Sequence, residues 1–168
     1  MSFKSSPGPI IADHLDTFRN AGTGKRDFWD FSVQFGLPTG IAIMSAVVGY
    51  RATDIGAFLG GVAVFAALLF ALVVFVFQLR ITAGNDPVAS GRKILLRLLD
   101  ELFANVSYAV LVGLLTTCLG IVAIWVGHEE NGSPVWVSCL LVGTVVHLVL
   151  TILMCLKRIN SAYRMMPK

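Results

Sequence analysis

An all-α integral membrane fold, a bundle of four spans with both termini on the cytoplasmic side, is predicted by three features of the chain. First, four runs of residues, 33–50, 55–79, 102–127 and 135–156, contain no Asp, Glu, Lys or Arg. A helix needs about 20 apolar residues to cross the hydrocarbon of a bilayer, and three of the runs reach that length. Only a helix or a closed barrel satisfies its own backbone in lipid, and unbroken apolar runs without period-2 alternation read as helices. Second, the composition is 56% hydrophobic and 14% charged, with a mean hydropathy of +0.79. A soluble domain carries about 25% charged residues, so lipid is needed to solvate the apolar excess. Third, the basic residues are segregated. Lys4, Arg19, Lys25 and Arg26 precede the first run. Arg80, Arg92, Lys93 and Arg97 lie between the second and third, and Lys157, Arg158, Arg164 and Lys168 follow the fourth. These are all of the 13 basic residues except Arg51. Positive charge concentrates on the cytoplasmic side, so both termini and the 80–101 segment are assigned there, and 51–54 and 128–134 become short outer loops.

The chain divides into a cytoplasmic or interfacial segment 1–32, a transmembrane domain 33–156 and a cytoplasmic tail 157–168. No small-residue cleavage site follows an early apolar stretch, so a retained first or second span, not a removable signal peptide, is expected to drive insertion. The net charge of +3 is accounted for by topology, and no nucleic-acid partner is expected.

Residues 1–8 are rich in Ser, Pro and Gly, and Pro9 suits the first turn of a helix. Ile10, Ile11, His14, Leu15 and Phe18 recur at helical spacing, with Asp13, Asp16 and Arg19 between them. This predicts a short amphipathic helix over 9–20, ending at Asn20-Ala21-Gly22 and lying on the membrane surface or under the bundle. Asp13, His14 and Asp16 form a tight polar group, read as a solvated face. Phe28, Trp29, Phe31 and Phe35 precede the first span as an interfacial belt. Gly36 and Pro38 interrupt that span, since proline removes a backbone donor, and predict it to be short or broken.

In the second span, Gly60, Ala63, Ala67 and Ala71 form one small-residue stripe, and Gly56 and Gly60 form a GxxxG. Small residues let helices approach closely in lipid. Phe58, Phe65, Phe70, Phe75 and Phe77 are expected to face lipid or fill between helices. Asp86 and Pro87 suit an N-cap and a first helical position, predicting a cytoplasmic helix over 87–105. Its apolar face is Leu95, Leu98, Leu99, Leu102 and Phe103, and Arg97 can pair with Glu101 four residues on. No breaker separates it from the third span, so the two can be continuous. Asn131-Gly132-Ser133 matches a glycosylation sequon, but Pro134 directly after it disfavours modification. Cys118, Cys139 and Cys155 all fall within spans and form no Cys-x-x-Cys pair, consistent with packing roles.

Thr144, His147, Thr151 and Cys155 are spaced by three, four and four, so they share one face of the fourth span. A mid-membrane ionisable residue is costly and turns to the bundle interior or a water-filled cavity. The face is therefore either a polar lining for ions or protons, or a packed face with a neutral His147 bonded to a threonine or backbone group. In the third span Gly113, Thr117, Gly120 and Gly127 lie close to one side and offer a surface for the fourth. Thr144, His147, Thr151 and Thr117 are the candidate pore-lining residues. Arg92, Lys93 and Arg97 are candidates for contact with anionic lipid, the default, or with a nucleotide or a partner protein. Enzyme motifs are missing: no His-Glu-x-x-His, Gly-x-Ser-x-Gly or phosphate-binding glycine loop occurs. His128-Glu129-Glu130 is too contiguous to converge on an ion. No catalytic residue, metal site or cofactor is assigned, and the scarcity of intramembrane charge counts against a carboxylate-coupled transporter.

Four spans, both ends cytoplasmic, a basic cytoplasmic helical loop and the stretch LLDELFANVSYAVLVGLL over 98–115 resemble small membrane effectors of bacterial anti-phage defence. In outline the chain is similar to the membrane subunit of the Hailong system and, more loosely, to that of Kiwa. The resemblance implies a homo-oligomeric channel or sensor of the bacterial inner membrane, held shut by a cytoplasmic partner and opened during infection. In the Hailong-like case the partner is a nucleotidyltransferase and the trigger a nucleotide signal. A tetramer with its pore on the symmetry axis is the favoured assembly. The alternatives are a non-conducting scaffold that anchors a soluble partner and, less favoured, a small transporter.

Overall fold

The computed structural model describes residues 7–17, 28–85, 92–127 and 132–165. They form five helices: α1 (Gly8–Asp16), α2 (Phe28–Val48), α3 (Ile55–Asn85), α4 (Arg92–Val126) and α5 (Val135–Met165). The fold is all-α, and α2 to α5 are each long and apolar enough to cross a membrane. The chain is therefore a multi-pass membrane protein.

The spans are longer and more continuous than the charge-free runs. At 1.5 Å per residue, α3, α4 and α5, with 31, 35 and 31 residues, overrun a hydrocarbon core of about 30 Å. The helix expected before the third span and the span itself are one helix, α4. The expected cap at Asp86 and Pro87 lies outside the described residues. α1 stops at Asp16 because the Thr17 hydroxyl and amide both turn back onto the His14 carbonyl, at 2.6 and 3.1 Å. The expected stop at Asn20-Ala21-Gly22 lies outside the described residues.

The first span is neither broken nor short. α2 runs unbroken through Gly36 and Pro38 for 21 residues and takes in Trp29 and Phe31, which were expected to lie ahead of it. A proline in a membrane helix is tolerated where neighbouring groups re-satisfy the backbone it disturbs, and α5 does so here.

The long helices pack in series. α3 lies on α4, α4 on α5 and α5 on α2, while among the described residues the α1 backbone lies along α4. Among the described residues α2 and α3 make no contact, so the bundle is open along that side. The central position of α4 shows in its burial: 33% of its most apolar window is buried, against 11% for α2. Among the described residues, the buried ones of α3 are Ile55, Val62, Leu69 and Val76, a strict every-seventh stripe. The expected stripe Gly60, Ala63, Ala67 and Ala71 faces outward instead. The reason is that α4 supplies the small residues of its contact with α3. A methyl group on Gly113 would touch Ala66, and one on Gly120 would meet the Leu59 side chain. The Gly113–Gly120 face was expected to serve the fourth span; it serves the second. Phe65, Phe70, Phe75 and Phe77 are exposed, as a lipid-facing surface requires.

The two short connections at one end of the molecule are tied together. The Ser133 amide donates to the Ala52 carbonyl at 3.0 Å, and the Ala52 amide donates to Ser138 Oγ at 2.9 Å. Ser133 Oγ donates to the Ala123 carbonyl at 2.9 Å. Gly132 sits at φ +65, and a Cβ there would come within 2.9 Å of the Ala52 carbonyl, so this crossing needs glycine. Ser133, the hydroxyl residue of the sequon, is buried in the junction.

Candidate functional site

A buried polar seam runs across four helices toward the opposite end. It begins at Pro38. In an α-helix the carbonyl of residue 34 accepts from the amide of residue 38, but proline has no N–H. The Gln34 carbonyl is left open, and His147 of α5 donates Nδ1–H to it at 3.0 Å. A backbone carbonyl only accepts, so this bond fixes the proton of neutral His147 on Nδ1 and leaves Nε2 as an acceptor. Tyr108 of α4 fills that acceptor, its hydroxyl 2.8 Å from Nε2. Both ring nitrogens of a mid-span histidine are thus engaged.

Thr151, one turn after His147, donates to the His147 carbonyl at 2.8 Å and accepts from Gln34 Nε2 at 2.7 Å. Gln34 and Thr151 are buried. α2 and α5 come close enough for these bonds because Gly143, one turn before His147, offers no side chain. A Cβ there would lie 3.2 Å from that of Ala42 and 3.7 Å from the Pro38 carbonyl. Phe35 packs on the other side of the imidazole, with ring centroids 5.0 Å apart.

α1 joins the seam from outside the span bundle. His14 is fully buried. Its ring lies flat on Tyr108, with centroids 3.8 Å apart and planes 5° from parallel. His14 Nδ1 is 2.8 Å from Asn105 Oδ1, and Thr17 Oγ1 is 3.0 Å from the same oxygen. Among the described residues, Asn105 Nδ2 has no partner although it is buried. Tyr108 therefore bridges two histidines: its face is covered by His14 and its hydroxyl donates to His147, whose ring stands at 90° to it. The expected solvated face at Asp13, His14 and Asp16 is corrected at its centre, because His14 points inward while Asp13 and Asp16 remain exposed.

Thr144, His147, Thr151 and Cys155 do share one inward face, with Thr151 and Cys155 buried and the other two half-buried. The Thr144 hydroxyl donates to the Leu141 carbonyl at 3.0 Å, and Thr117 to that of Gly113 at 2.9 Å. Thr117 is not part of the seam. Arg97 pairs with Glu101 at 3.1 Å. Arg80, at the end of α3, reaches Asp100 of α4 at 2.6 Å. The side chains of Arg92 and Lys93 lie outside the described residues. A groove of about 620 Å³ between α1 and α4 is lined by Asp13, Asp16, Asp100 and Glu101, with Arg97 as its basic member.

No family model, curated protein or solved structure matches the chain. Its chemistry is therefore read from the seam alone. The sequence reading had picked out His147 and Thr151 but not Gln34, Asn105 or Tyr108. One signal was available for the last two: Asn105 and Tyr108 stand three apart in a charge-free run, on one face of a helix. Gln34 is marked by the proline four residues after it.

Proposed function

We propose that this chain is the membrane subunit of an oligomeric effector that conducts ions when a cytoplasmic partner or nucleotide signal releases it. The setting proposed is a bacterial inner membrane and defence against phage. The observation that carries the reading is His147, an ionisable residue between the ends of its span, bonded to two neighbouring spans and linked through Tyr108 to a helix outside the bundle. Ionisable groups at this depth mark ion paths or switches by default. Among the described residues the helices pack in series and enclose no path within one protomer, so conduction would follow a symmetry axis of a ring, with a tetramer favoured. The basic segments Arg92, Lys93, Arg97 and Lys157 with their neighbours would face the cytoplasm, placing α1 where a soluble partner, such as a nucleotidyltransferase, can reach it.

The second reading is a non-conducting scaffold or sensor. It is favoured by the bonding of Thr144, His147, Thr151 and Thr117 inside the protomer, which gives each of these four hydroxyl and imidazole groups a protein partner in place of a water path. Ion flux from liposomes separates the two. The channel reading expects leakage in a partner- or nucleotide-triggered state, altered by His147→Ala. If no triggered state leaks and a soluble partner still co-purifies, the scaffold reading stands.

A further inference from the structure

We infer that α1 is a two-state latch whose docking, through His14, holds the Tyr108 hydroxyl on His147. The inference concerns the seam itself and does not depend on whether the assembly conducts.

α1 has nine residues, and an isolated helix shorter than about 12 residues is marginal. It is helical because it is docked, so leaving its berth and losing its structure are one event. Among the described residues its backbone lies along α4. The contact is small and specific: Ile10 packs against the core cluster, and His14 contributes the stacked ring and the bond to Asn105.

One feature opposes docking, the Asn105 amide. Turning it end for end exchanges oxygen and nitrogen but still leaves one buried polar atom without a partner among the described residues. A buried polar atom without a partner is destabilising, and water removes that cost when α1 lifts.

The readout of the latch is Tyr108. With His14 on its face, the ring is clamped and the hydroxyl is aimed at His147 Nε2. Without His14 one face is open, the ring gains freedom, and Nε2 loses its donor. The Nδ1 bond to the Gln34 carbonyl persists, because Pro38 still leaves that carbonyl open.

Side-chain nitrogen NMR of the full-length protein in nanodiscs tests this. The chain has 3 histidines, assigned by single His→Gln variants. Tyr108→Phe gives the Nε2 position of a His147 that has lost its donor. His14→Ala is expected to shift the Nε2 resonance toward that position while Nδ1 stays protonated. Ile10→Asp, which unseats the helix without altering the His14 ring, is expected to do the same. If Nε2 keeps its wild-type position in both variants, the latch is overturned. A shift in His14→Ala alone also overturns it, since that is a ring-contact effect without a docking equilibrium.

Discussion

His147 donates to the carbonyl oxygen of Gln34 at 3.0 Å, the backbone acceptor that Pro38 leaves without a helical donor. A residue that weakens one helix thereby creates the site that orients the ionisable side chain of another. The proline, the glutamine carbonyl and the histidine tautomer are one arrangement.

Replacing Pro38 by Ala returns an N–H to the Gln34 carbonyl, in competition with His147. Proline inside a helix costs about 3 kcal/mol relative to alanine, and membrane interhelical hydrogen bonds average about 0.6 kcal/mol. Pro38→Ala is therefore expected to stabilise the protein in reversible detergent unfolding, by up to about 2 kcal/mol. It should also release His147 from a single Nδ1–H tautomer in nitrogen NMR. A destabilised protein with an unchanged tautomer would contradict this account.

Tyr108→Phe keeps the ring that His14 covers and removes the donor to His147 Nε2. The expected cost is about 1 kcal/mol, with α1 still docked, as read by amide exchange in 8–16. His147→Ala removes the tie to α2 and α4 and leaves a void, so a larger loss of roughly 2–3 kcal/mol is expected. Equal costs for the two would show that the hydroxyl bond carries the whole contribution.

Two glycines on one face of α4 should respond differently to alanine. At Gly113 a methyl group would rest 3.9 Å from Ala66, an ordinary contact, and helix propensity favours Ala by up to about 1 kcal/mol. Gly113→Ala should be neutral or stabilising. At Gly120 the methyl group would meet the Leu59 side chain, and such overpacking costs about 1–3 kcal/mol. Unfolding midpoints of the pair, measured together, check the register of α3 on α4.

Gly132→Ala would place a methyl group in the left-handed region and against the Ala52 carbonyl. Backbone strain of this kind costs about 1–3 kcal/mol, and the Ser133–Ala52 bond would be lost with it. The expected signature is faster amide exchange at Ser133 and Ala52, with α1 and the seam at the other end unaffected. Disturbance of His147 in this variant would show that the two ends are coupled.

Much of the architecture was legible in the residues. The charge-free runs located all four spans, and the lack of a breaker before the third span left room for the one long helix that α4 forms. Pro38 was misread as a break, because a proline's effect depends on whether another helix brings a donor to the orphaned carbonyl. The small-residue stripe on α3 was assigned to packing, but contact geometry needs small residues on only one partner, and α4 already has them. His14 read as solvated because its neighbours Asp13 and Asp16 are polar; a single rotation of about 100° per residue along a helix separates their faces.

By itself the sequence determined that the chain crosses a membrane, how many times and with helices, since the bilayer imposes length, apolarity and internal backbone bonding on each segment separately. Only the tertiary structure decided which polar groups meet. Gln34, Asn105, Tyr108, His147 and His14 come from four helices, and a hydrogen bond forms or fails within a few tenths of an ångström of register between them. Such registers are set by packing at Gly143 and by the carbonyl freed at Pro38, relations between helices that no single segment carries.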